Sequence, residues 1–193
     1  DNDLLGTTIW QTWIDGFSDN SSGSTVGYME APFAEQAFIH SGLQSMPFDY
    51  NNVDEPYYSE AMRAFEGTMD WTVDDLSTLT LFFRGRSSNS VERLYVIVED
   101  DGGKSGVAVY ADANDLAVPV WTRWEIPLST FTDAGVDLAA VENLYIGVGD
   151  PDNPTPGGRG ILFFDDLYVA GPGVEQPDVV FAEDFDGLVL GPN

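Results

Sequence analysis

Leu94-Tyr95-Val96-Ile97-Val98-Glu99 runs into Asp100-Asp101-Gly102-Gly103, and Val107-Ala108-Val109-Tyr110 follows. β-Branched and aromatic residues fill both runs, and acids with glycines stand between them, the composition of a hairpin and its turn. Similar runs extend on either side. Leu79-Thr80-Leu81-Phe82-Phe83-Arg84 halts at Gly85, and Trp121-Thr122-Arg123-Trp124-Glu125-Ile126, Leu144-Tyr145-Ile146-Gly147-Val148 and Ile161-Leu162-Phe163-Phe164 come later. Their near-continuous apolarity predicts strands sandwiched between layers rather than a sheet with one wet face. Turn signals between them predict an all-β, antiparallel β-sandwich of the jelly-roll kind. Helix is scarce, with single turns expected at 128–131 and 137–141, the second capped by Asp137.

The composition supports one packed domain. Apolar residues make up 43% and aromatics 13% of 193 residues, enough for a core. Against 33 Asp and Glu stand 7 Lys and Arg, a formal net charge of -26. Such a charge repels phosphate backbones and anionic membranes, so no nucleic-acid partner is expected. No apolar run approaches the roughly 20 residues of a membrane-spanning helix, and no secretion signal is read, so no membrane insertion is expected. The absence of cysteine excludes disulfides, thiolate zinc sites and cysteine nucleophiles. The acids are 22 Asp to 11 Glu, with Lys104 the single lysine. Asp favours turns and oxygen-ligand cation sites, which suits a loop-rich surface adapted to salt or secretion.

Asp15 to Thr25 and Pro151 to Gly160 read as long surface loops, and long loops in compact domains are often functional. The β-sandwich domain is expected to span 1–170. Gly171-Pro172-Gly173-Val174-Glu175-Gln176-Pro177 reads as part of a linker over 171–178. Beyond it Val179-Val180-Phe181-Ala182-Glu183-Asp184-Phe185 is another strand-like run, with nothing after it to pack into. An apolar strand must fold back, join a neighbouring sheet or fray. The tail at 179–193 is therefore either the start of a following domain or an inter-subunit strand.

Several catalytic patterns fail. Gly103-Lys104-Ser105 resembles the end of a phosphate loop, but the required first glycine falls on Val98, so a hairpin turn is the reading. Asp150-Pro151-Asp152-Asn153 starts like a calcium loop, yet Thr155 and Ile161 hold the glycine and glutamate positions. His40 is the only histidine and no Gly-x-Ser-x-Gly occurs, so it reads as a hydrogen-bonded structural residue. Two carboxylates suffice for glycoside hydrolysis, but among 33 acids such a pair arises by chance. The expectation is that the chain is not an enzyme.

Gly160-Ile161-Leu162-Phe163-Phe164-Asp165-Asp166-Leu167-Tyr168-Val169 is an apolar strand interrupted by two acids. Alternation places Asp165 with Phe163 and Leu167, and Asp166 with Phe164 and Tyr168. A carboxylate among such neighbours costs several kcal/mol unless paired or bound to a cation. A hard, oxygen-liganded ion, calcium above all, meets that need; a wet strand end or an arginine partner is the other reading.

The ordered series Glu35, His40-Ser41-Gly42-Leu43-Gln44-Ser45-Met46, Tyr50-Asn51, Asp70-Trp71-Thr72, Leu79-Thr80-Leu81, Trp121 to Leu128, Leu144-Tyr145-Ile146-Gly147 and Phe164-Asp165-Asp166-Leu167 resembles a known fold family. It resembles the galactose-binding-like jelly rolls that serve as carbohydrate-binding modules in secreted multidomain bacterial proteins, over residues 9 to 170. That resemblance implies an extracellular or cell-surface location, a polysaccharide or surface-glycan partner and a structural Ca2+ held by Asp165, Asp166, Glu35 and Asp15. The polar insertion after Trp13-Ile14-Asp15 departs from the family's opening strand. The segment Phe181 to Leu188 likewise resembles the opening strand of another such module.

Sugar binding asks for aromatic faces beside hydrogen-bonding groups. The candidates are Tyr57, Tyr58, Trp121, Arg84 and Arg86, the two arginines serving either an anionic glycan or a salt bridge within the fold. Two functions follow. One is a noncatalytic, calcium-stabilised, glycan-binding module, and the other is a structural subunit of an extracellular filament. The filament would assemble head to tail by donation of residues 179–193.

Overall fold

The hairpin read at 94–110 forms as two antiparallel strands, β6 (Leu94–Asp100) and β7 (Ser105–Val109). The structure is a computed structural model that describes residues 9–171 together with 182, 183 and 185. A short helix α1 (Ile9–Thr12) opens it, followed by β1 (Trp13–Ile14), β2 (Ser24–Val26), β3 (Met46–Asn51), β4 (Ser59–Met69) and β5 (Thr78–Arg84). After β7 come β8 (Trp121–Pro127), α2 (Ser129–Asp133), β9 (Val141–Val148), β10 (Arg159–Ala170) and β11 (Ala182–Glu183). The two short helical turns lie where expected. The second, a 3₁₀ turn at Leu138–Ala140, is capped by the Asp137 side chain, which accepts from Ala139 N–H.

The strands form two antiparallel sheets. The first has the order β1-β4-β9-β6-β7, and the second β2-β3-β10-β5-β8 with β11 beside β10. Between them lies one core, in which Trp13, Trp71, Phe48, Phe83, Phe131 and Phe164 are fully buried. Each such ring removes enough apolar area from water to contribute about 2–3 kcal/mol. The fold is thus the all-β sandwich that the strand runs predict. No helix among the described residues is long and apolar enough to cross a membrane.

Strand β4 was invisible to strand signals. Glu60-Ala61-Met62-Arg63-Ala64-Phe65-Glu66 is a string of good helix formers, yet β1 and β9 pair with it on both sides. Pairing and burial override propensity here.

The expectation of strands sandwiched between further layers is corrected. With two sheets, most strands bury one face only, and the apolar residues on the other face meet either a loop or water; β10, buried on both faces from Leu162 to Ala170, is the strand that the expectation fits. On the second sheet residues 36–41 lie across part of the outer face. On the first sheet Ile97, Val107 and Val109 face outward, the two valines being 39% and 46% exposed.

The alternation expected around Asp165 is corrected too. Asp165 pairs with Phe82 but Tyr168 with Thr80, so one extra residue enters β10 between them. Asp166 takes up the bulge with a φ of 45°, in the left-handed region that tolerates Asp better than bulkier side chains. The bulge turns Leu167 into the core and leaves Tyr168, not Leu167, on the outer side with Asp165.

The tail finds a seat in its own chain. β3 pairs with β10 only as far as Phe164, and beyond the bulge Leu167 and Tyr168 pair with Glu183 and Ala182. Phe185 is buried against Trp13, ring centroids 6.4 Å apart, and Gln44 Nε2 donates to its carbonyl. For these residues the strand folds back onto its own sheet, one of the three fates open to an apolar strand there. The remainder of the linker and tail, 172–181, 184 and 186–193, lies outside the described residues.

Candidate functional site

The outer face of the first sheet is built in rows that register fixes. Glu60, Gly147, Tyr95 and Val109 lie side by side, then Met62, Tyr145, Ile97 and Val107, then Ala64, Asn143, Glu99 and Ser105. Successive rows on one face are about 7 Å apart. Tyr58, one residue before β4, has the outward parity of Glu60.

Gly147 makes the centre of this face possible. A Cβ there would sit 2.2 Å from Tyr95 Cζ, so only glycine lets the ring lie across β9. Tyr95 is fully buried as a floor, with Arg93 Cζ 6.0 Å from its centroid, while Tyr58 and Tyr145 are half-buried beside it. Arg93 is itself tied to Asp150 at 2.7 Å.

The hydroxyls and amide on this face donate inward. Tyr95 O–H donates to Glu60 Oε2 at 2.8 Å, and Tyr145 O–H to Glu99 Oε1 at 3.2 Å. Asn143 Nδ2 donates to the same Glu99 oxygen at 2.9 Å, and Tyr58 O–H to the Ser21 carbonyl at 3.1 Å. Burial and the Glu99 charge push the Tyr145 hydroxyl up to about 12, so it keeps its proton near neutrality, and burial raises the accepting Glu60 above the ordinary carboxylate range. The second oxygens of Glu60 and Glu99 have no partner among the described residues. The face therefore offers half-exposed tyrosine rings, aliphatic surface and carboxylate acceptors, and it has few spare donors.

The sequence-nominated binding residues divide. Tyr58 belongs to this face. Tyr57 lies instead in a shallow surface recess with Asn20, Glu55 and Pro56. Arg84 and Trp121 are neighbours on the opposite face of the molecule, the outer side of the second sheet, with Phe163 in the same row. Arg86 lies beyond them over Phe163, 5.0 Å from its ring centroid. Sequence reasoning missed Glu60, Tyr95, Glu99, Asn143 and Tyr145. Their signal was the alternation Tyr95-x-Ile97-x-Glu99 against Asn143-x-Tyr145-x-Gly147, hidden because Ile97 and Tyr145 made the runs read as apolar throughout.

The carboxylates nominated for calcium are held by protein donors. Asp165 Oδ2 accepts His40 N–H at 2.7 Å and Ser41 N–H at 3.3 Å, and its Oδ1 accepts Asp166 N–H at 2.9 Å. Asp166 Oδ1 accepts the Ser41 hydroxyl at 2.7 Å, and its Oδ2 is 2.5 Å from His40 Nδ1. Glu35 accepts Tyr28 O–H and the backbone N–H groups of Ala37 and Phe38. Asp15 accepts from Phe17 and Val26 N–H at 3.1 and 2.6 Å. Asp165 and Asp166 thus share one node with His40 and Ser41, whereas Glu35 and Asp15 each close a separate turn. Among the described residues no group of three or more His, Asp or Glu side chains is placed to hold an ion. These residues do not fit the calcium site that the resemblance implies.

No family model matches this chain, and no curated protein matches it. Solved structures do. A family 11 carbohydrate-binding module from Clostridium thermocellum, in complex with a β-1,3-1,4-mixed-linked tetrasaccharide, superposes with a TM-score of 0.55 at 14% identity, covering 89% of this chain and 94% of its own. The family 30 module of a cellulosomal cellulase of the same organism gives 0.56 at 11% identity, covering 84% and 99%. An exo-β-agarase gives 0.60 at 8% identity, covering 90% of this chain but 25% of its own. At these identities the likeness establishes the fold, and this chain has the β-sandwich fold of carbohydrate-binding modules.

Proposed function

We propose that the chain is a noncatalytic module that binds a neutral polysaccharide on the outer face of its first sheet, as part of a secreted or cell-surface protein. One observation carries this reading: half-exposed Tyr58 and Tyr145 flank a floor of Tyr95, with the free oxygens of Glu60 and Glu99 beside them. Sugar rings present an apolar C–H face and a rim of hydroxyls. The C–H face suits a tyrosine ring, and a carboxylate takes two adjacent hydroxyl donors. A glycan bearing its own carboxylates or sulfates would meet Glu60 and Glu99 as like charges, so the face favours neutral chains.

Titration calorimetry against neutral β-linked glucans, mixed-linkage glucan among them, tests the reading. Binding that Tyr145→Ala weakens more than tenfold, with the melting temperature nearly kept, supports it. Failure of every neutral glycan to bind at millimolar concentration would defeat it.

The filament reading needs more. Ala182 and Glu183 already pair with β10 of their own chain, so head-to-tail donation through 179–193 would require that seat to be vacated first. A structural Ca2+ does not form part of the proposal, because the nominated carboxylates are satisfied by N–H and O–H donors.

A further inference from the structure

The outer face of the second sheet carries the opposite chemistry. From one end, its register rows hold Asn51 and Arg159, then Asp49 and Ile161, then Pro47, Phe163, Arg84 and Trp121. Arg86 follows β5 by two residues and lies over the Phe163 ring. Arg84 thus stands two rows from Arg159 on the neighbouring strand, with Arg86 just past the end of β5, and these are three of only seven Lys and Arg residues in the chain.

None of the three makes an ion pair with a described residue. The arginines that do are Arg93 with Asp150 and Arg123 with Glu125. Free guanidinium groups in a chain of net charge -26 are unexpected, since carboxylates are abundant everywhere else. Two of them are fixed by rings. Arg84 Cζ lies 4.2 Å from the Phe38 centroid, and Arg86 lies 5.6 Å from Phe38 and 5.0 Å from Phe163. A guanidinium stacked on a ring keeps its N–H edges free in a fixed fork that matches planar or tetrahedral oxyanions. Beside Arg86 an open groove of about 390 Å³ is lined by Thr25, Asn51, Ser88, Arg159 and Ile161, with Asp49. Burial lifts Asp49 above the ordinary carboxylate range and the Arg86 charge draws it back, so Asp49 is the carboxylate within electrostatic reach of Arg86 that an incoming anion has to displace.

We propose that this strip is a second carbohydrate-binding surface, for an acidic polysaccharide whose carboxylate or sulfate groups are taken by Arg84, Arg86 and Arg159. Arg84 and Arg86, held by Phe38 and Phe163, would take one anionic group, and the exposed Arg159 the next along a chain with repeating anionic groups. Serine, asparagine and threonine in the groove supply the hydrogen bonds that neutral hydroxyls need. The chain's other acids do not forbid this, because at physiological salt charges beyond about 8 Å are largely screened.

Calorimetry at 150 mM NaCl with alginate, carrageenan and agarose tests it. The first carries carboxylates and the second sulfates, and agarose is the neutral counterpart of the second. Alginate or carrageenan binds at least tenfold tighter than agarose, and whichever binds identifies the anionic group. The double variant Arg84→Gln/Arg86→Gln loses that binding more than tenfold and keeps binding to any neutral glucan found for the first sheet. Arg84 also pins Phe38, so Arg159→Gln, away from that ring, carries the test if the double variant melts early. Absence of binding to both acidic polymers overturns the proposal, as does equal binding by the arginine variants. Polyglutamate bound as tightly as the polysaccharide, or equal loss by Tyr145→Ala, also overturns it.

Discussion

The two outer faces of one sandwich differ in what lies over them. Among the described residues the first sheet's face carries no covering loop over Tyr95 and Tyr145, and its hydroxyls donate to Glu60, Glu99 and, from Tyr58, the Ser21 carbonyl. The second sheet's face carries the 36–41 loop: Phe38 packs on Phe163 at 5.3 Å, His40 stacks on Phe82 at 3.7 Å, and Trp121 Nε1 donates to the Ile39 carbonyl at 3.1 Å. Beneath that loop lie the two acids that the sequence marked for a metal. The loop brings backbone N–H groups, a hydroxyl and an imidazole to them, as a cation otherwise would. A sheet face can thus be left open or covered by a loop; the first sheet does the one, while on the second the loop satisfies the two acids and the proposed arginine strip begins where Phe38 of that loop meets Arg84 and Arg86.

Removing the anchor of the loop gives the largest expected effect. Phe163 is fully buried under Phe38 and Arg86, and Phe163→Ala costs about 3–5 kcal/mol in urea unfolding. Binding to neutral glucan by whatever fraction stays folded should be unchanged. A parallel loss of that binding would show that the faces are not independent.

The acid node makes the stability of the covered face depend on pH. Burial, reinforced by the neighbouring Asp166, raises the Asp165 carboxyl to about 7, against 3.8 for an ordinary aspartate. The folded chain then holds a proton that the unfolded chain releases. Stability is therefore full below pH 4, falls as the pH rises from about 4 to 7 and is flat above, by on the order of a few kcal/mol. Asp165→Asn should flatten that slope in melts taken from pH 4 to 8. A slope that persists in the variant would assign the titration elsewhere.

On the open face the effects are in binding. Gly147→Ala drives a Cβ into Tyr95 and should weaken neutral glycan by about 10–100-fold, equivalent to about 1.4–2.8 kcal/mol. Its cost in stability from overpacking is about 1–3 kcal/mol. Normal affinity in Gly147→Ala would remove Tyr95 from the site.

The smallest expected effect is that of chelation. With Asp165, Asp166, Glu35 and Asp15 all satisfied by donors, EDTA should shift the melting temperature by less than about 2 °C, on the scale where 1 kcal/mol moves a domain of this size by about 2–4 °C. A larger drop that added calcium reverses would restore the metal at the node and weaken the contrast between loop-satisfied and ligand-ready faces.

Much of the sandwich was legible in the sequence. Leu94 to Val98, Leu79 to Phe83 and Leu144 to Val148 declared themselves because β-branched and aromatic residues concentrate in strands and Asp and Gly in the turns between. Asp137 was legible as a cap for the same local reason. β4 was not, because Glu60 to Glu66 prefers helix locally and becomes a strand only between β1 and β9. Asp165 and Asp166 were legible as an anomaly, but the remedy was not. It arrives from His40 and Ser41, more than 120 residues away in sequence, and from a bulge that alternation cannot foresee.

The binding residues divide along the same line. Tyr58, Arg84, Arg86 and Trp121 could be named from residue type alone. Which face each one occupies, and that Tyr95 crosses Gly147, follow from register between distant strands. Residue type and local period set strand, turn and composition, because those depend on neighbours in the chain. Tertiary pairing decides what each side chain meets, because side chains on one sheet face come from strands that the sequence holds far apart.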